Sequence, residues 1–410
     1  MRRLGPIVAA TVVVFAGCSG PERPVADEGP TTAVDVNTTT TAPEASEVSF
    51  GIPAELLQRV QDAGHPFPDI EYPSQPEGVP WPTDEWPEGE IPDGVDAAAL
   101  EAAIDEAFSG GLGNADVIDA VLVVKDGKLV VEEYNDWNPE ELHNSWSMAK
   151  SVTSSLVGIL AGRGEFDVFQ PATAPEWADQ ADPRHAITVD SLLRMSSGLQ
   201  WTEDYNDPSG DVISILAGAG MADRAGYTAS RPLEAPVDTA WEYSTGTADV
   251  VAREVAERVG YGDEFTGWIE SNLFEPLGIT GADFQLDDTG VINGGSWVNM
   301  RPVDFARFGY LFLRGGEWDG EQIVPTEWVD YSRLPTPTAD EAIYGAHWWV
   351  DTQDPQRFYA SGFNGQRIMV VPEEDLMIVV LSRTSSGRPV FLVDRLEELF
   401  GAAESDDQST

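Results

Sequence analysis

The chain has 410 residues, of which 42% are hydrophobic and 10% aromatic, a globular composition with enough apolar side chains for one large core or two smaller ones. Lys and Arg number 23 against 71 Asp and Glu, a formal net charge of -48. That balance excludes nonspecific nucleic-acid binding as a main role, because phosphate affinity needs clustered Lys and Arg, and it disfavours strongly anionic substrates.

Arg2 and Arg3 precede an apolar run from Leu4 to Phe15, too short to span a bilayer and of the length of a signal peptide's apolar segment. The run ends in Phe15-Ala-Gly-Cys18, which resembles a bacterial lipobox with Phe15 where Leu is usual. The resemblance implies removal of residues 1–17, lipidation of Cys18 and anchoring to the outside of the bacterial cell membrane. A cleaved signal peptide with secretion is the alternative. Cys18 is the only cysteine, so lipidation would use it up and no disulfide is expected. Residues 18–50 are rich in Thr, Pro, Ala and acids and read as a flexible tether. From Gly51 to about Val95 prolines are dense and Trp81 and Trp86 appear, which fits an extended strap over a domain.

Ala97 to Phe108 has a helix pattern closed by Gly110 and Gly111. The β-branched runs Val117 to Val124 and Leu129 to Tyr134 flank Asp126-Gly127 and predict a hairpin. After it, Met148, Val152, Leu156, Ile159 and Leu160 recur at helical spacing, which puts Ser147 and Lys150 on one face, one turn apart. Residues 162–337 carry helical patterns at Val189 to Met195, Ala248 to Val259, Glu264 to Leu273 and Pro302 to Leu313, separated by loops rich in Gly, Pro and Asp. Strand patterns return at Arg357 to Ala360, Arg367 to Val371 and Met377 to Ser382, followed by a helix from Val390 to Phe400 and a polar tail over 403–410. The fold class expected is α+β: one antiparallel sheet flanked by helices, built from about 95–145 and 340–400, with a mainly helical part inserted over about 150–337. Together they make one domain over 51–402.

The chemistry centres on Ser147 and Lys150. The first turn of a helix presents free N–H groups and the positive end of the helix dipole, which stabilise a developing oxyanion. The chain has three lysines, Lys125, Lys128 and Lys150, against twenty arginines. Arginine does not give up its proton, whereas a desolvated lysine can be tuned to act as a base. Lys125 and Lys128 flank the hairpin turn, and Lys150 stands alone on an apolar helix. A lone S-x-x-K pair is as compatible with a buried, ion-paired lysine as with catalysis, so further groups are needed. Tyr243 follows a proline-bearing loop and precedes a helix. Beside a lysine ammonium its hydroxyl could be partly ionised or could pass a proton to a leaving group, core packing being the bland alternative. The glycines of Ala360-Ser-Gly-Phe-Asn-Gly-Gln366 would let a backbone N–H approach a carbonyl closely.

The order Ser147-x-x-Lys150, Tyr243-Ser-Thr245 and Ala360-Ser-Gly362 resembles the serine β-lactamase and penicillin-binding superfamily. Within it, Ser-Trp-Ser-Met-Ala-Lys-Ser151 and Tyr205-Asn-Asp-Pro208 are similar to the branch of 6-aminohexanoate-dimer hydrolases and related esterases. The resemblance spans Gly51 to Gly401 and implies a β-lactamase/transpeptidase-like fold. It implies Ser147 as acylated nucleophile, Lys150 as general base and Tyr243 as proton shuttle, with the backbone N–H groups of Ser147 and Phe363 as oxyanion hole. Tyr205, Ser361 and Gly362 are its substrate-binding positions. Thr245 stands where the family usually has Asn, and Ala360 where it has Lys or His. Loss of the basic residue argues against β-lactam or D-Ala-D-Ala specificity and favours a carboxylic ester or small amide. A non-catalytic surface binding protein, or a penicillin-recognising peptidase, are the competing readings. Acyl-group size would depend on how Tyr205, Trp201, Trp348 and Trp349 sit around the cleft.

Other chemistries have little support. No G-x-S-x-G elbow or P-loop occurs, and the four histidines lack metal-ligand spacing, so neither cofactor nor metal is expected.

Overall fold

The computed structural model describes residues 50–65, 72–76, 78–109, 118–339, 344–351, 356–383 and 390–407. The chain divides into Met1–Ser46 and Glu47–Thr410. The leader, Cys18 and the tether up to residue 49 lie outside the described residues, as do Gly110, Gly111, Val117 and residues 408–410. No helix among the described residues is long and apolar enough to cross a membrane.

The hairpin forms as its sequence predicts, Ile118–Lys125 pairing antiparallel with Lys128–Tyr134. Asp126 and Gly127 both take positive φ, 52° and 74°, as a type I′ turn requires. The first strand of the hairpin then pairs with Leu376–Ser382, near the far end of the chain, with Val121 opposite Val380. Six strands complete an antiparallel sheet in the order Lys128–Tyr134, Ile118–Lys125, Leu376–Ser382, Arg367–Val371, Phe358–Ser361, Trp349–Val350.

Alternation along the central strands sends side chains to two separate cores. Val121, Val123, Ile378 and Val380 pack on one face against Leu100 and Ile104 of the Ala97–Phe108 helix and Leu392 and Leu396 of the Val390–Asp407 helix. Ala120, Leu122, Val124, Val379 and Leu381 face the larger core. That core holds the Ala149–Gly162 helix, the Pro302–Leu313 helix and the Thr245–Val259 helix of the inserted region. Both faces are therefore covered, which is why these strands read as continuous apolar runs.

The 51–95 region departs from an extended strap at its start. Ala54–Ala63 is a helix, with Leu56 and Val60 buried and Gly64 closing it at φ 73°. The described remainder is extended: the Tyr72 hydroxyl donates to Phe312 O at 2.5 Å, and Trp81 and Trp86 pack edge-on to Tyr310. The inserted region also contains helices without a clear sequence pattern, Asp211–Ala217, Arg224–Ala229 and Thr326–Arg333. The expected Glu264–Leu273 helix is an α-helix over Asp263–Ile269 that widens into a π turn over Glu270–Phe274. The last helix runs seven residues past the expected Phe400, to Asp407.

Candidate active site

Ser147 lies in a 3-10 turn, Trp146–Met148, that leads straight into the Ala149–Gly162 helix. The residue before it, Trp146, has φ 44°, a left-handed conformation costly for an aromatic residue. Its N–H is held by the Asn144 side chain at 2.6 Å. Upstream, the His143 N–H donates to Met300 O at 2.8 Å and its Nε2 meets buried Asp119 at 3.1 Å. The helix is buried on every side from Ala149 to Ala161. Ser147 is 8% exposed and Lys150 1%.

Inside this apolar setting Lys150 spends all three ammonium protons on the protein. Nζ donates to Ser147 Oγ at 3.1 Å, to Thr245 Oγ1 at 3.1 Å and to Gly295 O at 2.8 Å. Burial pushes Lys150 down to about 8, against an upward pull from Glu203 and then Asp249. The Tyr243 ring lies under the same nitrogen, 4.9 Å from its centroid.

Tyr243 precedes the Thr245–Val259 helix, whose N-cap is Ser244 accepting from Thr247 N–H. Its ring stacks on Trp349 at 5.6 Å and meets Tyr344 edge-on at 5.9 Å. Desolvation raises the Tyr243 hydroxyl well above the usual tyrosine value, with the Tyr344 and Glu203 charges adding to the rise and the Ser147 side chain opposing it. Tyr243 is therefore a neutral phenol, and the partly ionised form considered from sequence does not apply. What it can do is relay a proton.

Across from Ser147, strand Phe358–Ser361 ends at Gly362, and Phe363 opens a 3-10 turn, Phe363–Gly365. A Cβ on Gly362 would meet Ser145 O at 2.5 Å, so only glycine lets this strand end approach the nucleophile's loop. The Phe363 ring lies 5.3 Å from that of Trp146. Near the start of their tight turns, Ser147 as second residue and Phe363 as first, each has an N–H with no acceptor inside its own turn, a pair of donors suited to an oxyanion.

Tyr205 joins the cluster from the 202–210 loop. Its ring stacks on Phe363 with centroids 4.6 Å apart. Ser361 alternates with Ala360 along its strand and pairs with Arg367, so it shares a face with Tyr359 and not with Ala360, which is buried in the core that holds Ser147's helix. Trp349 belongs to the cleft, whereas Trp348 is fully buried against Phe312 at 4.3 Å and does not line it. Trp201 is buried beside the loop, with its Nε1 donating to Glu203 at 2.5 Å.

Glu203 is the residue that sequence reasoning missed. Its carboxylate also accepts from Tyr205 OH at 3.2 Å, Thr245 N–H at 2.9 Å and the Thr245 hydroxyl. Two positions before Tyr205 in one of the blocks of resemblance, it was within reach of a search for acids next to family motifs. Among the described residues no cluster of His, Cys, Asp or Glu is arranged to hold a metal ion.

A family model described as Beta-lactamase matches residues 105–402. A 6-aminohexanoate-dimer hydrolase from Paenarthrobacter ureafaciens is 28% identical over 288 residues, covering 64% of this chain and 72% of the relative. Among solved structures, a Bacillus anthracis protein provisionally assigned as a 6-aminohexanoate-dimer hydrolase superposes with a TM-score of 0.64 at 20% identity, covering 89% of this chain and 99% of that one. A penicillin-binding protein homologue from Caulobacter crescentus gives a TM-score of 0.60 at 16% identity, covering 77% and 99%. At such identities the structural likeness speaks for the fold.

Proposed function

The chain belongs to the beta-lactamase family, and on that premise we propose that it is a serine hydrolase that cleaves a carboxylic ester or small amide through an acyl-enzyme on Ser147. The observation that carries this reading is the buried contact of Lys150 Nζ with Ser147 Oγ at 3.1 Å, with the Tyr243 ring 4.9 Å from the same nitrogen.

In the proposed cycle Lys150, as free amine, takes the Ser147 proton while Oγ attacks the carbonyl carbon. The tetrahedral oxyanion is held by the N–H groups of Ser147 and Phe363. As the C–O or C–N bond breaks, Tyr243 gives its proton to the departing alcohol or amine and is reprotonated by the Lys150 ammonium; a water then attacks the acyl carbonyl, gives its proton to Lys150, and the acid leaves as Ser147 Oγ regains a proton along the same path. An ester or small amide is favoured over an anionic substrate because Ala360 offers no cation and Glu203 adds negative charge on Thr245, two hydrogen bonds from Lys150. The activity named for the Paenarthrobacter relative supports a linear amide as one member of that class.

Export and lipid anchoring through Cys18 are part of the same proposal, resting on the leader residues, and incorporation of labelled palmitate that is lost in Cys18→Ser tests them. For the chemistry, a fluorophosphonate should label one site, Ser147, stoichiometrically. Absence of labelling in folded protein favours a binding protein that keeps the fold without the reaction.

A further inference from the structure

We propose that Glu203, acting through the Thr245 hydroxyl, is the counter-charge of Lys150 and a positioning residue for the reaction, and that it ties the substrate-side loop to the base. The inference rests on the serine-hydrolase reading for its meaning in catalysis, but its geometry stands independently.

Thr245 Oγ1 accepts from Lys150 Nζ at 3.1 Å and donates to Glu203 Oε1. One oxygen serves both bonds, which brings a carboxylate within two hydrogen bonds of the base. The Glu203 carboxylate is itself fixed from three further directions, by Thr245 N–H, Trp201 Nε1 and Tyr205 OH. Thr245 is the first residue of the Thr245–Val259 helix, so its N–H and the helix dipole favour an anion at this spot. A lysine stripped of water needs a compensating negative charge if it is to hold the proton it takes from serine. Thr245 in place of the family's Asn therefore keeps a working link, now directed at an acid.

The other groups facing Lys150 do not provide the same link. Asp249, one turn down the same helix, reaches the lysine through the peptide of Gly295, whose N–H lies 3.4 Å from Asp249 Oδ1 while its carbonyl accepts from Nζ at 2.8 Å. Burial pushes its carboxyl up to about 7, with Arg224 and then Lys150 pulling it down. His347 meets the Lys150 carbonyl at 3.1 Å through Nδ1, and burial and then the lysine charge hold it down to about 3, so it stays neutral. Tyr243 and Tyr344 are neutral phenols, held well above the usual tyrosine value by burial, as is Tyr205 for the same reason. Glu242 lies within electrostatic reach of Glu203 on the exposed side.

Because the chain has three lysines, full-length protein labelled with 13C-lysine gives three side-chain signals. That of Lys150 is assigned by its loss in Lys150→Arg or, should that variant not fold, by elimination with Lys125→Arg and Lys128→Arg. In Glu203→Gln the Lys150 titration should move down by about one unit, and the rising limb of kcat/KM with it. Thr245→Val, which cuts the bridge, serves where Glu203→Gln does not fold, with a shift of the same sign, and Thr245→Ser should restore the original titration. A Lys150 titration unmoved in these variants overturns the proposal. Ser147 acylation by a p-nitrophenyl ester is followed on the same samples. No acylation with a responsive Lys150 overturns the hydrolase reading alone, whereas acylation with an unmoved Lys150 overturns the counter-charge alone.

Discussion

Tyr205 and Phe363 stack face to face with ring centroids 4.6 Å apart, one from the 202–210 loop of the inserted region and the other from the end of a sheet strand. Phe363 also meets the ring of Trp146, the residue before Ser147, at 5.3 Å, so the pair forms a wall beside the nucleophile against which an acyl or leaving group must fit.

Phe363→Ala removes that wall while leaving the Phe363 N–H in place. Aromatic pairs contribute about 0.5–1.5 kcal/mol beyond buried area, so KM for p-nitrophenyl esters with bulky acyl chains should rise about 3- to 10-fold. The acetate ester, too small to reach the ring, should change less. A uniform loss across the series would mean that the ring orders the oxyanion turn instead of the substrate.

The pH profile follows from the lysine. Burial holds Lys150 down to about 8, and the reactive form is the free amine. kcat/KM should climb with pH and level off above about 8. The stability sign is the reverse of a salt-bridged group: the folded state disfavours the ammonium, so a penalty present below about 8 is relieved as pH rises toward the ordinary lysine value. Lys150→Met should flatten that rise in a series of denaturant titrations across the same range.

Charge on the substrate should matter. With Ala360 where the family carries a cation, and Glu203 beside the base, a p-nitrophenyl ester bearing a terminal carboxylate should have a kcat/KM about tenfold or more below its neutral analogue of equal length, the factor expected for one unfavourable charge contact of roughly 1.4 kcal/mol. Benzylpenicillin should acylate Ser147 slowly or not at all. Rapid penicillin acylation would assign the protein to the peptidase and β-lactamase side of its family.

Behind the site, Gly158 marks where the helix is pressed against the core. A Cβ there would lie 2.5 Å from Trp328 Cδ1, and that ring is fully buried between Phe50 and Tyr331. Gly158→Ala should therefore cost about 1–3 kcal/mol, read from the denaturant midpoint, with the chemistry of any folded fraction intact.

How much of this was legible depended on how local the determinants are. Ser147 and Lys150 are three residues apart on a helix, so spacing alone brings them together, and the hairpin's Asp-Gly turn announces itself. Tyr243 and Phe363 were reachable through resemblance, since the contacts that give them meaning join distant parts of the chain. Glu203 was hidden because it is one of 71 acidic residues and its partner Thr245 lies 42 positions away. The Ala54–Ala63 helix was masked by the prolines around it, although Leu56 and Val60 at i and i+4, with Gly64 after them, carried its signal. The two-residue strand pairs Asp283–Phe284 with Val298–Asn299 and Glu317–Trp318 with Glu321–Gln322 are too short to leave a period in the sequence.

The most direct test is hydrolysis of p-nitrophenyl butyrate by the wild type beside Ser147→Ala, with intact-mass detection of the acyl adduct. The account predicts turnover and a butyryl adduct on the wild type, and neither on a Ser147→Ala protein that melts as a folded chain. Comparable turnover by Ser147→Ala, or a folded wild type that neither turns over nor acquires an adduct from this or the acetyl and hexanoyl esters, would contradict it.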